Sequence, residues 1–241
     1  MKILSIGNSF SQDAQRYVHK IALLNGIPFK TVNLYIGGCP LRKHYLNILD
    51  DVKAYDFQFN GESTGLSVSI KDVLRSDAWD AVTLQQASPY SPKWETYEPY
   101  IKEVSDYVKK YVPTAKQIIH QTWAYSEEHN LIKGIAPSSY DMLCGIRDAY
   151  QKAKDFISAD GLIPSGEAMW ALIQNGIAQP HRDGYHASLG TGRMTLGLLW
   201  FCYFTGKDPY EVLLPEADVQ ITEEEKGIIR KSVADALQFK I

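Results

Sequence analysis

Short apolar runs alternate with longer helical patterns along the chain, from its first residues to its last quarter. Lys2 to Ile6 is almost continuously apolar, which predicts a buried strand ending at Gly7-Asn8-Ser9. Tyr17, Val18, Ile21 and Leu24 recur at helical spacing and predict one helix over Gln12 to Asn25, stopped by Gly26. Phe29 to Ile36 predicts a second strand, closed by Gly37-Gly38. Between residues 55 and 70 the pattern changes. Phe57 and Phe59, then Leu66, Val68 and Ile70, alternate with polar residues on either side of Gly61 to Gly65, the signature of a β-hairpin inserted beside the main sheet.

Three more strands are predicted, at Ala81 to Gln85, Gln117 to Gln121 and Leu162 to Pro164. Helices are predicted at Tyr97 to Tyr111, Ser138 to Phe156, Ser165 to Gln174 with Ser165 as N-cap, Ala187 to Thr205 and Glu223 to Leu237. Strands alternating with helices imply parallel βαβ units. The expected fold is a three-layer α/β/α sandwich around a mostly parallel five-stranded sheet, with the hairpin as an insertion. No repeat, low-complexity tract or linker divides the chain, so one domain over residues 1–241 is expected. In such sheets ligands bind beyond the carboxyl ends of the strands. The loops to search are those at Ser9, Gly38, Gln86, Trp123 and Asp183 to His186.

Composition narrows the partner more than the fold. Of 241 residues, 45% are hydrophobic, enough for a sizeable core. A formal charge of −3 and the lack of any basic run argue against nucleic acid as partner and leave a small or neutral molecule. The apolar run Leu196 to Phe204 is far short of the roughly 20 residues a spanning helix needs, so no membrane association is expected. Met1 to Asn8 has no signal-peptide pattern, which makes the cytoplasm the default expectation; a leader removed upstream would leave no trace here. Cys39, Cys144 and Cys202 have no C-x-x-C spacing and read as buried free thiols. Nothing in the sequence bears on oligomeric state.

Ser9 stands where a buried strand turns into a helix, which presents its hydroxyl at the sheet's carboxyl edge. The same position suits a serine that merely caps the helix. As a nucleophile it needs a base. Of the six histidines, His19 and His129 read as surface residues and His120 as a core residue. His186 follows Asp183-Gly184-Tyr185 in a polar, glycine-bearing loop. A carboxylate three residues ahead can fold back to bond the imidazole, fixing its tautomer and stabilising the imidazolium.

A serine directly after the first strand, with D-x-x-H before the last helices, resembles the SGNH (GDSL-like) hydrolases. The match is to a branch that opens with G-N-S-(F/Y)-S, represented here by Gly7 to Ser11. Gly37 to Leu41, Leu84 to Gln86, Gln121 to Tyr125 and Tyr185 to Ser188 supply the branch's four further motifs in order, so the resemblance spans nearly the whole chain. It implies an SGNH fold and an esterase with Ser9 as nucleophile, His186 as general base and Asp183 as its orienting carboxylate. It also implies an oxyanion hole made by the N–H groups of Ser9 and Gly38 (Gly37 being the neighbouring alternative) and one side chain, with no cofactor.

The third block departs from the pattern. The family usually has G-x-N-D there, whereas this chain reads Leu84-Gln85-Gln86-Ala87-Ser88-Pro89. Gln86 is the candidate replacement for the asparagine, with Gln85 and Ser88 behind it. The opening is also Gly-Asn-Ser where Gly-Asp-Ser is usual. His44, Trp123 and Tyr185 are candidate substrate contacts, with Tyr125 beside Trp123. The relatives make a short-chain, O-acetyl ester on carbohydrate the expected substrate. Two other readings stay open: a carbohydrate- or ligand-binding module on the same fold, and a metal-dependent hydrolase using His181, Asp183 and His186.

Overall fold

The computed structural model of the protein describes residues 1–238. Its strands are β1 (Lys2–Gly7), β2 (Lys30–Tyr35), β3 (Tyr55–Phe59), β4 (Glu62–Val68), β5 (Ala81–Leu84), β6 (Lys116–His120) and β7 (Gly161–Ile163). They form one sheet in the order β4-β3-β2-β1-β5-β6-β7. The five from β2 to β7 along this sheet pair in parallel. The predicted hairpin forms, but it lies in the sheet: β3 pairs antiparallel with β2, setting Leu34 opposite Phe57 and Val32 opposite Phe59. The sheet therefore has seven strands where five were expected. The hairpin satisfies the backbone groups along the outer side of β2 and moves the open edge to β4, a strand rich in polar residues and exposed along nearly its whole length.

β1 is paired on both sides, which explains its run of Ile3, Leu4 and Ile6, each buried. Ser5 is the polar interruption. Its hydroxyl lies 2.6 Å from that of Thr83 and accepts a 2.7 Å bond from Gln15 Nε2, so burial leaves it satisfied.

The helices are α1 (Ser9–Gln15), α2 (Val18–Leu24), α3 (Leu41–Leu49), α4 (Ile70–Leu74), α5 (Tyr100–Tyr111), α6 (Ser139–Ile157), α7 (Ser165–Gln174), α8 (Thr191–Thr205) and α9 (Glu223–Gln238). Mutual packing sorts them into two layers, α1, α2, α7, α8 and α9 in one and α3 to α6 in the other. The apolar stretch at Leu196 becomes the buried helix it predicts, with Leu198, Leu199, Trp200 and Phe201 all inaccessible. None of the described helices is long and apolar enough to cross a membrane.

Four local expectations change. The helix predicted over Gln12 to Asn25 is two helices, the first starting at Ser9. The chain turns at Tyr17, whose buried hydroxyl donates to the Leu189 carbonyl and accepts from the Asp218 N–H, each at 2.8 Å. Pro164 occupies the N-cap position of α7, no side chain caps the helix there, and Ser165 is its first residue. Helices α3 and α4 were not anticipated. Cys39 and Cys202 are buried free thiols as expected, but Cys144 is exposed.

Numbered among themselves, the parallel strands run 2-1-3-4-5, so connections leave β1 in opposite directions on its two sides. The crevice of such a sheet opens between the carboxyl ends flanking that reversal, here β1 and β5. Ser9 follows the first and Ser88 lies just beyond the second.

Candidate active site

The opening motif is built around Asn8. Its side chain caps α1, Oδ1 accepting the Phe10 N–H at 3.0 Å, while Ser11 Oγ accepts the Asn8 N–H at 3.0 Å to complete a capping box. Ser9 is the first residue of that helix, where its N–H has no partner within the helix. Asn8 is almost wholly buried and both ends of its amide are engaged: Oδ1 also accepts from Gln85 Nε2 at 2.8 Å, and Nδ2 donates to the Cys39 carbonyl at 3.3 Å. Gln85 continues the chain inward, its Oε1 lying 2.6 Å from His120 Nδ1.

These contacts explain why asparagine stands where aspartate is usual in the family, since aspartate would oppose a carboxylate to the Cys39 carbonyl. Asn8→Asp is expected to cost about 1–3 kcal/mol at pH 7, the penalty of a buried polar group without its partner. Burial raises the introduced carboxyl's pKa above its unfolded value near 4, so the loss is full above that pKa and fades on acidification as the protonated form regains a donor. Urea unfolding at pH 7 and pH 4.5 measures both; equal stability of the two proteins at pH 7 would remove this account.

Ser9 Oγ lies 2.8 Å from His186 Nε2, and His186 Nδ1 lies 2.7 Å from Asp183 Oδ2. The other Asp183 oxygen accepts the backbone N–H groups of His186 at 2.8 Å and Tyr185 at 3.2 Å. Partial burial pushes the Asp183 carboxyl up, but hydrogen bonds from the His186 ring and from these N–H groups outweigh it and hold it below the ordinary carboxylate range. The loop that makes this possible closes on itself through a bridge between His181 and Ala187, with Arg182 N–H donating to the His186 carbonyl at 3.0 Å. Gly184 sits at its tip with φ +88°, and a Cβ there would stand 2.6 Å from the His129 ring. Both the backbone angle and the space require glycine.

A cavity of about 390 Å³ opens over Ser9 and His186. Gly37 and Gly38 form one side; Tyr35, Tyr125, Tyr185, Leu131 and Pro89 supply apolar walls. Gly38 has φ +61°. Tyr185 is therefore a cavity wall, as read from the sequence, and it also packs on His186 with ring centroids 4.0 Å apart. Beyond Gly184 lies a second, polar cavity of about 440 Å³, lined by Ser126, Glu128, His129, Arg182 and the outer face of Asp183.

Three sequence candidates lie elsewhere. Gln86 is buried with its amide committed: Nε2 donates to the Thr96 carbonyl at 2.9 Å, and Oε1 accepts the N–H groups of Leu41 and Ala87, each at 2.9 Å. It ties the β5 loop to α3 and does not line the cavity. Ser88 does, its hydroxyl 2.8 Å from that of Tyr125. His44 faces the core, Nδ1 lying 2.9 Å from the Tyr55 hydroxyl, and burial lowers its pKa to about 3. Trp123 is also inside. It stacks on Phe10 at 4.2 Å and donates Nε1 to the Tyr185 carbonyl at 2.7 Å, bracing from beneath the residues next to Ser9 and His186.

His181, Asp183 and His186 do not converge as ligands. Both His186 nitrogens are engaged with Asp183 and Ser9, and among the described residues no group of three or more His, Cys, Asp or Glu is placed to hold a metal ion. Sequence reading overlooked Tyr35 and Leu131, which line the cavity with no signal beyond lying next to the loops already under suspicion, Tyr35 just before Gly37 and Leu131 after Trp123.

Residues 2–227 match the family model described as Domain of unknown function (DUF4886). Among solved structures, a DUF4886 family protein from Bacteroides uniformis is 32% identical, with 99% of this chain and 95% of that one covered and a TM-score of 0.93. A protein from Slackia heliotrinireducens, proposed to be an SGNH hydrolase, aligns at TM-score 0.60 and 22% identity over 83% of this chain and 97% of that one. An acetyl xylan esterase aligns at TM-score 0.55 and 14% identity over 83% and 98%. No curated protein matches the chain.

Proposed function

The chain belongs to the DUF4886 family and has the SGNH hydrolase fold, and on that premise we propose that it is a serine esterase acting on short-chain acyl esters of carbohydrates. The observation that carries the reading is the unbroken relay from Ser9 Oγ through His186 to Asp183, with contacts of 2.8 and 2.7 Å, at the floor of an open cavity.

Ser9 Oγ attacks the ester carbonyl as His186 Nε2 takes its proton, and Asp183 stabilises the imidazolium. The tetrahedral oxyanion is met by the N–H groups of Ser9 and Gly38. The Ser88 hydroxyl, backed by Tyr125, takes the place first given to Gln86. Each such donor typically contributes about 10²–10³ in rate. Collapse expels the alcohol with the proton from His186, and water, deprotonated by the same imidazole, then releases the acid from the acyl-enzyme.

The substrate follows from the walls. Among the described residues lining the cavity none is Asp, Glu, Lys or Arg, which suits an uncharged ester. Tyrosine faces suit a sugar ring, and the polar cavity beyond Gly184 offers donors and acceptors for its hydroxyls. A protein of the same fold is an acetyl xylan esterase, which makes an acetylated polysaccharide the first substrate to assay.

Covalent capture tests the nucleophile. A fluorophosphonate probe should leave one adduct per chain, located on Ser9 by peptide mass spectrometry and absent after heat denaturation. An unlabelled protein, or an adduct on another serine, would defeat the assignment.

A further inference from the structure

Asp13 lies one helical turn beyond Ser9 on α1, and its side chain is completely buried. A buried carboxylate is costly unless its oxygens are well occupied. Here they are. Arg182 Nη1 is 2.9 Å from both oxygens, Arg193 Nε donates to Oδ1 at 2.8 Å, and the Ala187 N–H donates to Oδ2 at 3.1 Å. Arg182 Nη1 also reaches the Ala187 carbonyl at 2.5 Å, and its backbone N–H holds the His186 carbonyl.

Arg182 and Ala187 bracket the loop that carries Asp183 and His186, and Arg193 comes from the start of α8. One carboxylate thus fastens both ends of that loop to the helix that presents Ser9. The Ser9–His186 contact spans 177 positions of sequence, and Asp13 supplies the nearest direct bond between the two segments.

We propose that Asp13 is a positioning residue, which through Arg182 and Ala187 sets the register of the base loop on the nucleophile helix. The proposal rests on the reading of Ser9 and His186 as nucleophile and base. It gives the buried charge a role in alignment that packing alone would not require, because a displacement of about 1 Å at a reacting group is enough to lower a rate about 10²-fold.

Asp13→Asn and Arg182→Ala are the variants to make. Arg182 is partly exposed, so its truncation tests the clamp even where Asp13→Asn fails to fold. On p-nitrophenyl acetate, kcat should fall about 10²-fold in Arg182→Ala with KM changed by no more than about threefold. Millimolar guanidinium should restore part of the loss, which support of the fold alone would not produce. A crystal structure of either variant should show His186 Nε2 drawn out of hydrogen-bond reach of Ser9, beyond about 3.5 Å. Folded variants with kcat within about threefold of the parent protein would overturn the proposal, as would an unchanged Ser9–His186 contact. The distance measurement needs no turnover, so an error about Asp13 is distinguishable from an error about ester hydrolysis.

Discussion

Ser9→Ala is expected to lower kcat for p-nitrophenyl acetate near neutral pH by about 10⁴–10⁶-fold, without loss of the fold. Among the described residues the hydroxyl bonds no side chain but His186, and the helix it begins is capped by Asn8, so the fold does not depend on it. What survives in the variant is the contribution of the oxyanion donors and of binding. A side-by-side assay of the two proteins decides the matter. Equal rates would return Ser9 to the plainer role of a serine at a helix start.

Asp183→Asn should be nearly as damaging, lowering kcat about 10³–10⁴-fold. The reason is the direction of one hydrogen bond. Asp183 spends one oxygen on two backbone N–H groups and offers the other to His186 Nδ1, which keeps the proton there and leaves Nε2 free to accept from Ser9. An asparagine that keeps its oxygen on the N–H groups must present its NH₂ to Nδ1 and so move the proton to Nε2, the wrong nitrogen. KM should change little, since Asp183 does not line the cavity over Ser9. Steady-state kinetics on the same substrate check both quantities, and a variant retaining more than a tenth of the parent's kcat would mean that His186 is oriented by other means. Because the Asp183 carboxyl is held below the ordinary range, it stays ionised through mildly acidic pH, and any fall in rate there belongs to another group.

Much of this site was legible in one dimension because its parts are local. A strand that ends in a small residue and a serine, and a carboxylate three residues ahead of a histidine, each define their own geometry within a few residues. The five parallel strands were legible for a similar reason: strands buried on both faces, such as Ile3 to Ile6, cannot hide their apolar runs. What stayed hidden depends on partners distant in sequence. Gln86 and Ser88 are two residues apart, yet one is drawn to Thr96 and Leu41 while the other reaches Tyr125 and the cavity. His44 and Trp123 looked like pocket residues by position, and Tyr55 and Tyr185 take them inward. The break between α1 and α2 follows from a tyrosine hydroxyl that meets Leu189 and Asp218. The hairpin's alternation gave its shape but not its place, because nothing within it names β2 as a neighbour.

The distance along the chain between Ser9 and His186 has a consequence for how the molecule comes into being. Synthesis delivers the serine 177 residues ahead of the histidine. On the proposed mechanism the hydroxyl has no base until then, and a fragment ending before residue 186 is expected to show no labelling of Ser9 by a fluorophosphonate probe. Closing so long a loop is among the slower events of folding. On that mechanism, recovery of activity after dilution from denaturant reports the meeting of two segments 177 positions apart, later than signals from the helices that form near either one.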